Sequence, residues 1–252
     1  VRGADVALGR PPAGISLHRR SAFARLLRLA LLHVGPLEYN ASAPEHETFL
    51  RMRARLDGGD DGGGTVVAPA DVSSSFGVAA SPLGKVPFIR TEHGNLCESQ
   101  AILEYIEAAY PNPPLMPRDL DTRYEVRRLC AWFDDKFHSE VTSKLLYERI
   151  NKKIMSQGYP DSKNVKSGAG RIKYHIDYLG WLLDQRRWLA GDVMTLADFT
   201  AAAHLSSLDY ISDVDWNRSA TVKDWYAKIK SRPSFRTLLA DQVPGFPPPA
   251  HY

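Results

Sequence analysis

The sequence predicts an α/β front part joined to an all-helical back part. Strand and helix signals occur together over residues 1–110, whereas only helical patterns follow residue 122. Four prolines between residues 111 and 117 interrupt every periodic pattern and indicate a linker. Strands and helices followed by helices alone are typical of an α/β domain packed against a helical one. We therefore expect a first domain over 1–110, a linker over 111–121 and a helical domain over 122–252.

The composition is that of an ordinary soluble globular protein. Hydrophobic residues make up 44% of the 252 residues, charged residues 24%, and the net charge is +3. This charge is too small for the dense basic surface that nucleic-acid or anionic-membrane binding requires, so we expect neither partner. Cys97 and Cys130 lie far apart in no metal-ligand spacing and fit a reducing compartment. We expect a cytoplasmic location and no metal.

The first 80 residues give mixed signals. Residues 21–33 carry apolar side chains at helical spacing, and Ser21 fits the N-cap position of that helix. The basic residues before this segment and the small residues after it leave a signal or transit peptide as the alternative. Residues 57–64 contain only glycine and aspartate, so we expect a disordered insertion near 55–80.

Clear secondary-structure signals resume at residue 81. A strand is predicted over 86–90, followed by a hairpin turn with Gly94-Asn95 as its tight pair and a second strand from Leu96. Ser99 then begins a helix. The predicted apolar face of this helix consists of Ile102, Leu103, Tyr105 and Ile106.

The back part contains several helical patterns with recognisable caps. Thr122 and Glu125 fit a capping box, and a box-like cap at Thr195 and Asp198 opens the segment 196–208. That segment is apolar nearly all round, which predicts a buried core helix. Further helices are predicted around residues 145–155, 171–185 and 222–230, and a proline-rich extended tail over 243–252.

Four stretches, in this order and spacing, resemble the glutathione S-transferase superfamily. They are residues 21–31, 81–87, 96–102 and 188–198. The resemblance implies an N-terminal thioredoxin-like domain that binds glutathione and a C-terminal helical domain of the same superfamily. It also implies that glutathione is a co-substrate and that the protein is a homodimer.

The resemblance assigns the glutathione site to two segments. The Val86–Pro87 bond would be cis, and the backbone of Val86, next to Lys85, would pair with the cysteinyl part of glutathione; a trans proline at a strand start is the alternative. Ser99 and the start of its helix would hold the γ-glutamyl carboxylate, as helix N-termini hold anions, and Glu98 would face the ammonium group. The alternative for Ser99 is that it only caps its helix.

The resemblance also assigns a catalytic and a structural role. Ser21 matches the serine or cysteine that lies beside the glutathione thiol, where a positive helix end favours the thiolate. Ala22 stands where proline is usual, and a capping serine without catalysis is the alternative. Thr195 and Asp198 match the folding element of the family, with Asp198 buried and accepting backbone N–H groups.

The back part resembles one subgroup more narrowly, the alphaproteobacterial FtsZ-localised protein A-like proteins. Residues 208–216, 223–235 and 239–252 carry this resemblance. It implies a homodimer that binds FtsZ in cell division and depends on its extreme C-terminus. The polar and aromatic cluster at the start of this region either faces a partner or caps a helix end; its members are Asp209, Tyr210, Asp213, Asp215 and Trp216.

Two functional hypotheses follow. The first is a glutathione transferase that conjugates glutathione to an apolar electrophile, with activity that is weak or lost. The alternative is a non-catalytic dimer of the same fold that binds FtsZ filaments. No Cys-x-x-Cys motif occurs, which argues against a stand-alone thioredoxin-like redox protein. His175, His204 and His251 show no partner spacing, so we assign them no role.

Overall fold

The computed structural model describes residues 88–91, 94–109, 113–154, 157–240, 243 and 245–252. In this part of the chain a β-hairpin comes first and only helices follow. The strands are β1 (Phe88–Thr91) and β2 (Gly94–Cys97). The α-helices are α1 (Ser99–Ala109), α2 (Leu120–Ala131), α3 (Ser143–Leu146), α4 (Lys152–Ile154), α5 (Ser162–Leu183), α6 (Leu196–Asp209), α7 (Ala220–Lys230) and α8 (Pro233–Leu239).

The hairpin pairs its two strands antiparallel. Phe88 lies opposite Cys97, and Thr91 lies opposite Gly94. Gly94 and Asn95 are therefore part of β2, and the prediction that they form the tight pair of the turn was wrong. The chain has therefore reversed its direction before Gly94, because Gly94 and Asn95 are already paired with Thr91 and Arg90 of β1.

Helix α1 follows β2 after one residue and is amphipathic. Ile102, Leu103 and Ile106 are buried, as predicted, but Tyr105 is 45% exposed. At about 100° per residue, Tyr105 lies about 60° outside the arc that the three aliphatic residues span. The apolar face of this helix is therefore purely aliphatic.

Residues 120–154 form one continuous rod, which we call the composite helix. Helix α2 passes into a π-helical segment (Trp132–Thr142), then into α3, a second π-helical segment (Tyr147–Asn151) and α4. Its fully buried side chains recur every four residues, whereas an α-helix would rotate such a repeat by about 40° per step. The wider π turns offset this rotation and keep the stripe facing α6. The stripe consists of Leu129, Phe133, Phe137, Val141 and Leu145.

The cap of α2 differs from the predicted one. Asp119 is the N-cap, and its Oδ2 accepts from the Thr122 backbone N–H at 2.8 Å and the Thr122 hydroxyl at 2.7 Å. The predicted capping box of Thr122 and Glu125 was wrong because the aspartate one turn earlier takes the capping position. Glu125 is left to form ion pairs with Arg128 and Arg186.

Helix α6 is the centre of the helical domain, as predicted. Every one of its residues is buried, and it packs against α2, the first π-helical segment and α7. Helix α5 begins at Ser162, nine residues before the predicted start at 171, with Asp161 as its N-cap. Helix α7 begins after the N-cap Ser219.

Helix α1 shares its core with the helical domain. Its buried residues Ile102, Leu103 and Ile106 belong to the same apolar cluster as Leu129, Phe133 and most of α6. The first helix after the hairpin is thus held by the back part of the molecule. Within the described residues, we find no helix with the length and apolarity to cross a lipid bilayer.

Candidate functional site

The junction between β2 and α1 is conformationally strained. Glu98, the single residue between these two elements, has φ = 67°, a left-handed value that is costly for a residue with a side chain. Its carbonyl accepts the first backbone hydrogen bond of the helix, from Ile102 N–H at 2.9 Å. Strain of this kind is concentrated at ligand sites. Because the first N–H groups of a helix have no acceptor within it, the start of α1 offers donors to an anion.

Two of the predicted site residues, Glu98 and Ser99, can be placed relative to this junction. Glu98 is exposed and Ser99 is half-buried, and they are adjacent at the start of α1, as the predicted γ-glutamyl site requires. Ser21, Lys85, Val86 and Pro87 lie outside the described residues, so their predicted roles stay predictions. Gln100, which sequence reasoning did not select, donates a hydrogen bond from Nε2 to Asp134 Oδ2 on the composite helix.

Asp134 connects this junction to the core of the helical domain through hydrogen bonds. Its Oδ1 lies 3.3 Å from His204 Nε2, and His204 Nδ1 lies 3.1 Å from the Thr142 hydroxyl oxygen. These three residues follow the carboxylate–imidazole–hydroxyl order of a nucleophilic triad. Thr142 is only 3% exposed, however, and His204 is fully buried in α6. A substrate has no access to this hydroxyl, so the arrangement anchors Asp134 rather than performing chemistry.

Two further contacts hold α1, one to the composite helix and one to the segment that follows α1 in the chain. Glu104 forms an ion pair with Arg127 at 2.7 Å, and both side chains are about half exposed. The Glu107 carboxylate accepts from the backbone N–H groups of Leu115 and Met116, each at 3.0 Å. The chain that follows α1 is thereby folded back onto its last turn.

The cap of α6 is built around one buried carboxylate. Asp198 Oδ2 accepts from the Thr195 backbone N–H at 2.8 Å and the Thr195 hydroxyl at 3.2 Å. Its Oδ1 accepts from Leu189 N–H at 3.0 Å and Trp225 Nε1 at 2.9 Å. Burial raises the pKa of the Asp198 carboxyl, and these donors offset part of the rise. The carboxylate connects the start of α6, the segment before it and α7.

A second buried carboxylate, Asp209, lies at the end of α6. Its Oδ1 accepts from Trp216 Nε1 at 2.7 Å and lies 3.1 Å from His251 Nε2. Its Oδ2 accepts from Lys230 Nζ at 3.1 Å and from the Tyr226 hydroxyl at 3.4 Å. The sequence pattern is compatible with a partner-facing cluster or with a helix-end cap. The buried Asp209 is instead an internal hub that binds α7 and the tail to the end of α6.

The tail (residues 243–252) packs onto the helical domain. The Tyr210 hydroxyl donates to the Phe246 carbonyl at 2.6 Å and accepts from Val243 N–H at 2.8 Å. Val243, Phe246 and Tyr252 pack with Tyr210 and with two buried residues of the composite helix. A cavity of about 410 Å³ lies between the tail and the composite helix, with Phe246 and Arg149 in its lining. The tail is thus a structured part of the domain.

Two further aspartates of the predicted polar and aromatic cluster differ in exposure: Asp215 is exposed, whereas the side chain of Asp213 is only 10% exposed. Asp213 forms an ion pair with Arg149 at 2.5 Å. Asp215 is exposed and accepts from the Asn217 backbone N–H at 3.1 Å, which closes a local turn. Both therefore have local structural roles, and neither alternative from the sequence describes the whole cluster.

The histidines that received no role have defined partners. Trp132 Nε1 donates to His175 Nδ1 at 3.1 Å, and His175 Nε2 lies 3.1 Å from Glu140 Oε2. Burial lowers the pKa of His175, so the ring is mainly neutral near neutral pH. The partners of His175, His204 and His251 lie 35 to 70 residues away in the chain. No local sequence signal could have revealed such pairs.

The described residues hold no metal site, and the thiol of Cys130 is not activated. They contain no group of three or more histidine, cysteine, aspartate or glutamate side chains placed to bind a metal ion. Cys130 is buried, with its Sγ 3.4 Å from the Thr200 hydroxyl oxygen. Burial raises the pKa of this thiol to about 12, so it is protonated and unreactive near neutral pH.

A strip of aromatic side chains lies along the composite helix and α5. Trp132 and Tyr178 have ring centroids 4.7 Å apart, and Tyr178 stacks on Trp181 at 6.1 Å. Tyr174 extends the strip, with its ring 6.4 Å from that of Trp132. Trp181 is 56% exposed and Tyr174 is 48% exposed. Contiguous exposed aromatic surface of this kind is typical of a contact site.

The hairpin, the helix that starts at Ser99 and the buried central helix with its Asp198 cap are features of one fold class, and comparison with known proteins identifies it. The sequence profile described as "Glutathione S-transferase, N-terminal domain" matches residues 66–114. A glutathione S-transferase from Rhodospirillum rubrum F11 superposes with a TM-score of 0.76 at 38% identity, covering 93% of this chain and 94% of that one. The chain belongs to the glutathione S-transferase superfamily.

Within this superfamily, the predicted resemblance to the FtsZ-localised protein A-like subgroup is confirmed. FtsZ-localized protein A of Caulobacter vibrioides is 47% identical over 176 residues, which cover 68% of this chain and 77% of that protein. The solved structure of FzlA from C. crescentus superposes with a TM-score of 0.76 at 38% identity and covers 92% of this chain and 94% of that one. The predicted fold class, a thioredoxin-like domain followed by the helical domain of the superfamily, is confirmed.

Proposed function

We propose that this protein binds FtsZ filaments as an interaction protein of the glutathione S-transferase fold and acts in bacterial cell division. The observation that carries the proposal is the 47% identity to a protein named for its localisation with FtsZ. The tail that the subgroup resemblance singles out is packed against Tyr210 and α7 in a defined conformation. A protein with this function works in the cytoplasm, where FtsZ polymerises.

Co-pelleting with FtsZ polymers tests this proposal. The full chain is expected to sediment with polymers assembled in GTP, and a variant lacking residues 244–252 is expected to remain in the supernatant. Tyr124→Ala, which changes an exposed aromatic residue on α2 far from the tail in the chain, serves as the control and is expected to sediment. Failure of the full chain to sediment would overturn the proposal.

A second candidate function is glutathione binding at the start of α1, with conjugation activity that is weak or lost. The specific observation in its favour is the strained Glu98 backbone immediately before the half-buried Ser99 at a helix N-terminus. In the resemblance, Ser99 and Glu98 hold the γ-glutamyl group, Lys85, Val86 and Pro87 contact the cysteinyl part, and Ser21 lies beside the thiol.

Titration calorimetry with glutathione tests the second candidate. We expect measurable binding that falls in Ser99→Ala and is retained in Ser139→Ala, an exposed serine whose hydroxyl donates to the Lys136 carbonyl. Turnover of a chromogenic aryl halide measures any conjugation, and Ser21→Ala is expected to reduce it. Absence of heat with the wild-type chain would eliminate this candidate while leaving the FtsZ proposal intact.

We propose that the chain forms a homodimer and that the aromatic strip contributes to the contact. The support is the exposure of Tyr174 and Trp181 next to the half-buried Trp132 and Tyr178. Sedimentation velocity is expected to show a dimer that is weakened in Trp181→Glu. Tyr159→Glu, a nearly fully exposed residue outside the strip, is the control. A monomeric wild-type chain would contradict the proposal.

A further inference from the structure

The start of α1 is held from the side by a chain of hydrogen bonds that ends in the helical core. Gln100, the second residue of α1, donates to Asp134 Oδ2. Asp134 Oδ1 is in contact with His204, and His204 is in contact with Thr142. The chain therefore extends from the exposed side chain next to Ser99 to the fully buried helix α6.

The hydrogen-bonding roles in this chain are mutually consistent. A carboxylate can only accept, so Asp134 accepts from Gln100 on one oxygen and from His204 Nε2–H on the other. The remaining ring nitrogen of His204 then accepts from the Thr142 hydroxyl. The His204 ring packs against the rings of Phe133 and Phe137, with centroids 6.3 Å and 5.6 Å from its own. Its orientation, and hence that of Asp134, is fixed by packing.

The first turn of α1 needs such external support. Glu98 is strained, and a non-glycine residue in the left-handed region persists only where its surroundings hold it. Within α1, Ile102 N–H to Glu98 O is the backbone bond that closes this turn. Gln100 lies in the same turn, so its link to Asp134 opposes fraying of the Glu98–Ser99 junction. A second polar link from α1 to the composite helix, between Glu104 and Arg127, lies one turn further along.

We propose that Asp134 is a positioning residue for the ligand site at the start of α1: it holds Gln100 and thereby keeps Glu98 and Ser99 in their binding geometry. This inference rests on the proposed glutathione site for its functional consequence. It assigns to the helical domain a direct role in shaping a site that belongs to the front domain.

Amide hydrogen exchange tests the positioning role without any ligand. In Gln100→Ala, exchange at Ile102 N–H is expected to accelerate by about threefold to tenfold, which corresponds to the loss of one hydrogen bond. The unfolding midpoint should change little, because the Gln100 side chain is exposed. Glu104→Gln, which removes the exposed ion pair one turn away, is the matched control and should leave Ile102 exchange unchanged. Unchanged exchange at Ile102 in Gln100→Ala would overturn the proposal.

Asp134→Ala provides the second variant. It is expected to accelerate Ile102 exchange at least as much as Gln100→Ala, whereas Asp135→Asn, at the adjacent exposed carboxylate, should not. Because Asp134→Ala also removes a partner of His204, exchange at Leu179 N–H in α5 separates a local effect from general destabilisation. Equal acceleration at both amides would count against positioning.

Calorimetry with glutathione supplies the functional result. The glutathione Kd is expected to rise by about threefold to tenfold in Gln100→Ala and Asp134→Ala and to remain unchanged in Glu104→Gln. If the wild-type chain binds no glutathione but Ile102 exchange responds as expected, the second candidate function fails and the positioning role stands. Normal glutathione affinity in Gln100→Ala would overturn the inference even if exchange changed.

Discussion

Asp198 is a single buried residue that connects three separate segments of the helical domain by hydrogen bonds. Its two oxygens accept from four donors that belong to Leu189, Thr195 and Trp225. Each buried donor that loses its acceptor costs about 1–3 kcal/mol. The local pattern at Thr195 predicted the cap, but the contacts with Leu189 and Trp225 depend on tertiary packing that the sequence does not display.

We expect Asp198→Ala to lower the free energy of unfolding by about 3–5 kcal/mol, because three buried N–H groups lose their acceptor. Urea unfolding followed by circular dichroism measures the loss. Asp192→Ala, at an exposed aspartate six residues earlier, is the control and should have little effect. Equal stability of the two variants would show that the buried carboxylate does not support the cap.

Glu125 makes a pH-dependent contribution to stability. Arg128, hydrogen-bonded to this carboxylate, and Arg186 hold the pKa of Glu125 at about 2, below its ordinary value of 4.5. A carboxyl whose pKa is depressed by folding stabilises the folded state above the unfolded pKa, and this contribution is lost as the pH falls from 4.5 towards 2. After allowance for solvent screening, it amounts to about 1–2 kcal/mol.

The Glu125→Gln variant should therefore be less stable than the wild type near neutral pH, and the difference should shrink as the pH falls. Urea unfolding at about pH 7 and about pH 3 measures this. Glu104→Gln, whose carboxylate is mostly solvent-exposed, should show a much smaller dependence. A stability difference that is the same at both pH values would contradict the assigned ion pairs.

At the scale of elements, two of the three glycines in α5, Gly168 and Gly170, have opposite surroundings. A Cβ at Gly168 would lie 2.8 Å from Leu145 Cγ, in the buried stripe of the composite helix, whereas a Cβ at Gly170 would meet no atom within 4 Å. Both positions are helical, so alanine gains the same intrinsic preference at each. Only the packing differs.

We expect Gly170→Ala to raise the free energy of unfolding by about 0.5–1 kcal/mol and Gly168→Ala to lower it. The gain in stability in Gly170→Ala comes from reduced flexibility of the unfolded chain. The loss in Gly168→Ala comes from the displacement of Leu145 and α5. Thermal unfolding of the two variants and the wild type shows whether each substitution raises or lowers the stability. Stabilisation by Gly168→Ala would mean that the two helices are not in close contact there.

The elements that were predicted well are those whose signals are local. The Thr195–Asp198 cap and the continuous apolar pattern placed α6 to within one residue, and the strand-to-helix junction at Ser99 was also correct. The cap of α2 was missed because Asp119 and Thr122 offer equivalent capping groups one turn apart. Asp134, His204 and Asp209 were not identified as connecting residues, since their partners are brought to them by the packing of separate helices.

At the scale of the whole molecule, two connections unite distant parts of the chain. Helix α1 joins the helical domain through its aliphatic face and through Gln100 and Glu104. The tail joins the same domain from the other end of the sequence, through Tyr210 and Asp209. The helical domain therefore shapes both the proposed ligand site and the proposed partner-binding tail. Either proposed function depends on the stability of that domain.

The tail offers the sharpest test of this dependence. The Tyr210 hydroxyl makes two hydrogen bonds with tail backbone groups, at Val243 and Phe246, while its ring packs edge-on against Tyr252 at 5.1 Å. Tyr210→Phe removes both hydrogen bonds but keeps the ring. We expect the tail to loosen without loss of the helical domain, because the removed bonds lie outside the main core.

Hydrogen exchange at Val243 N–H should therefore accelerate by about tenfold or more in Tyr210→Phe, with a loss of about 1–3 kcal/mol in unfolding free energy. Tyr147→Phe removes a hydroxyl that donates to Gln157 at 2.6 Å and is the matched control. If FtsZ recognises the docked tail, co-pelleting should weaken in Tyr210→Phe only. Full binding by Tyr210→Phe with a loosened tail would show that FtsZ recognises the tail sequence rather than its docked conformation, whereas an unchanged Val243 exchange rate would refute the contact itself.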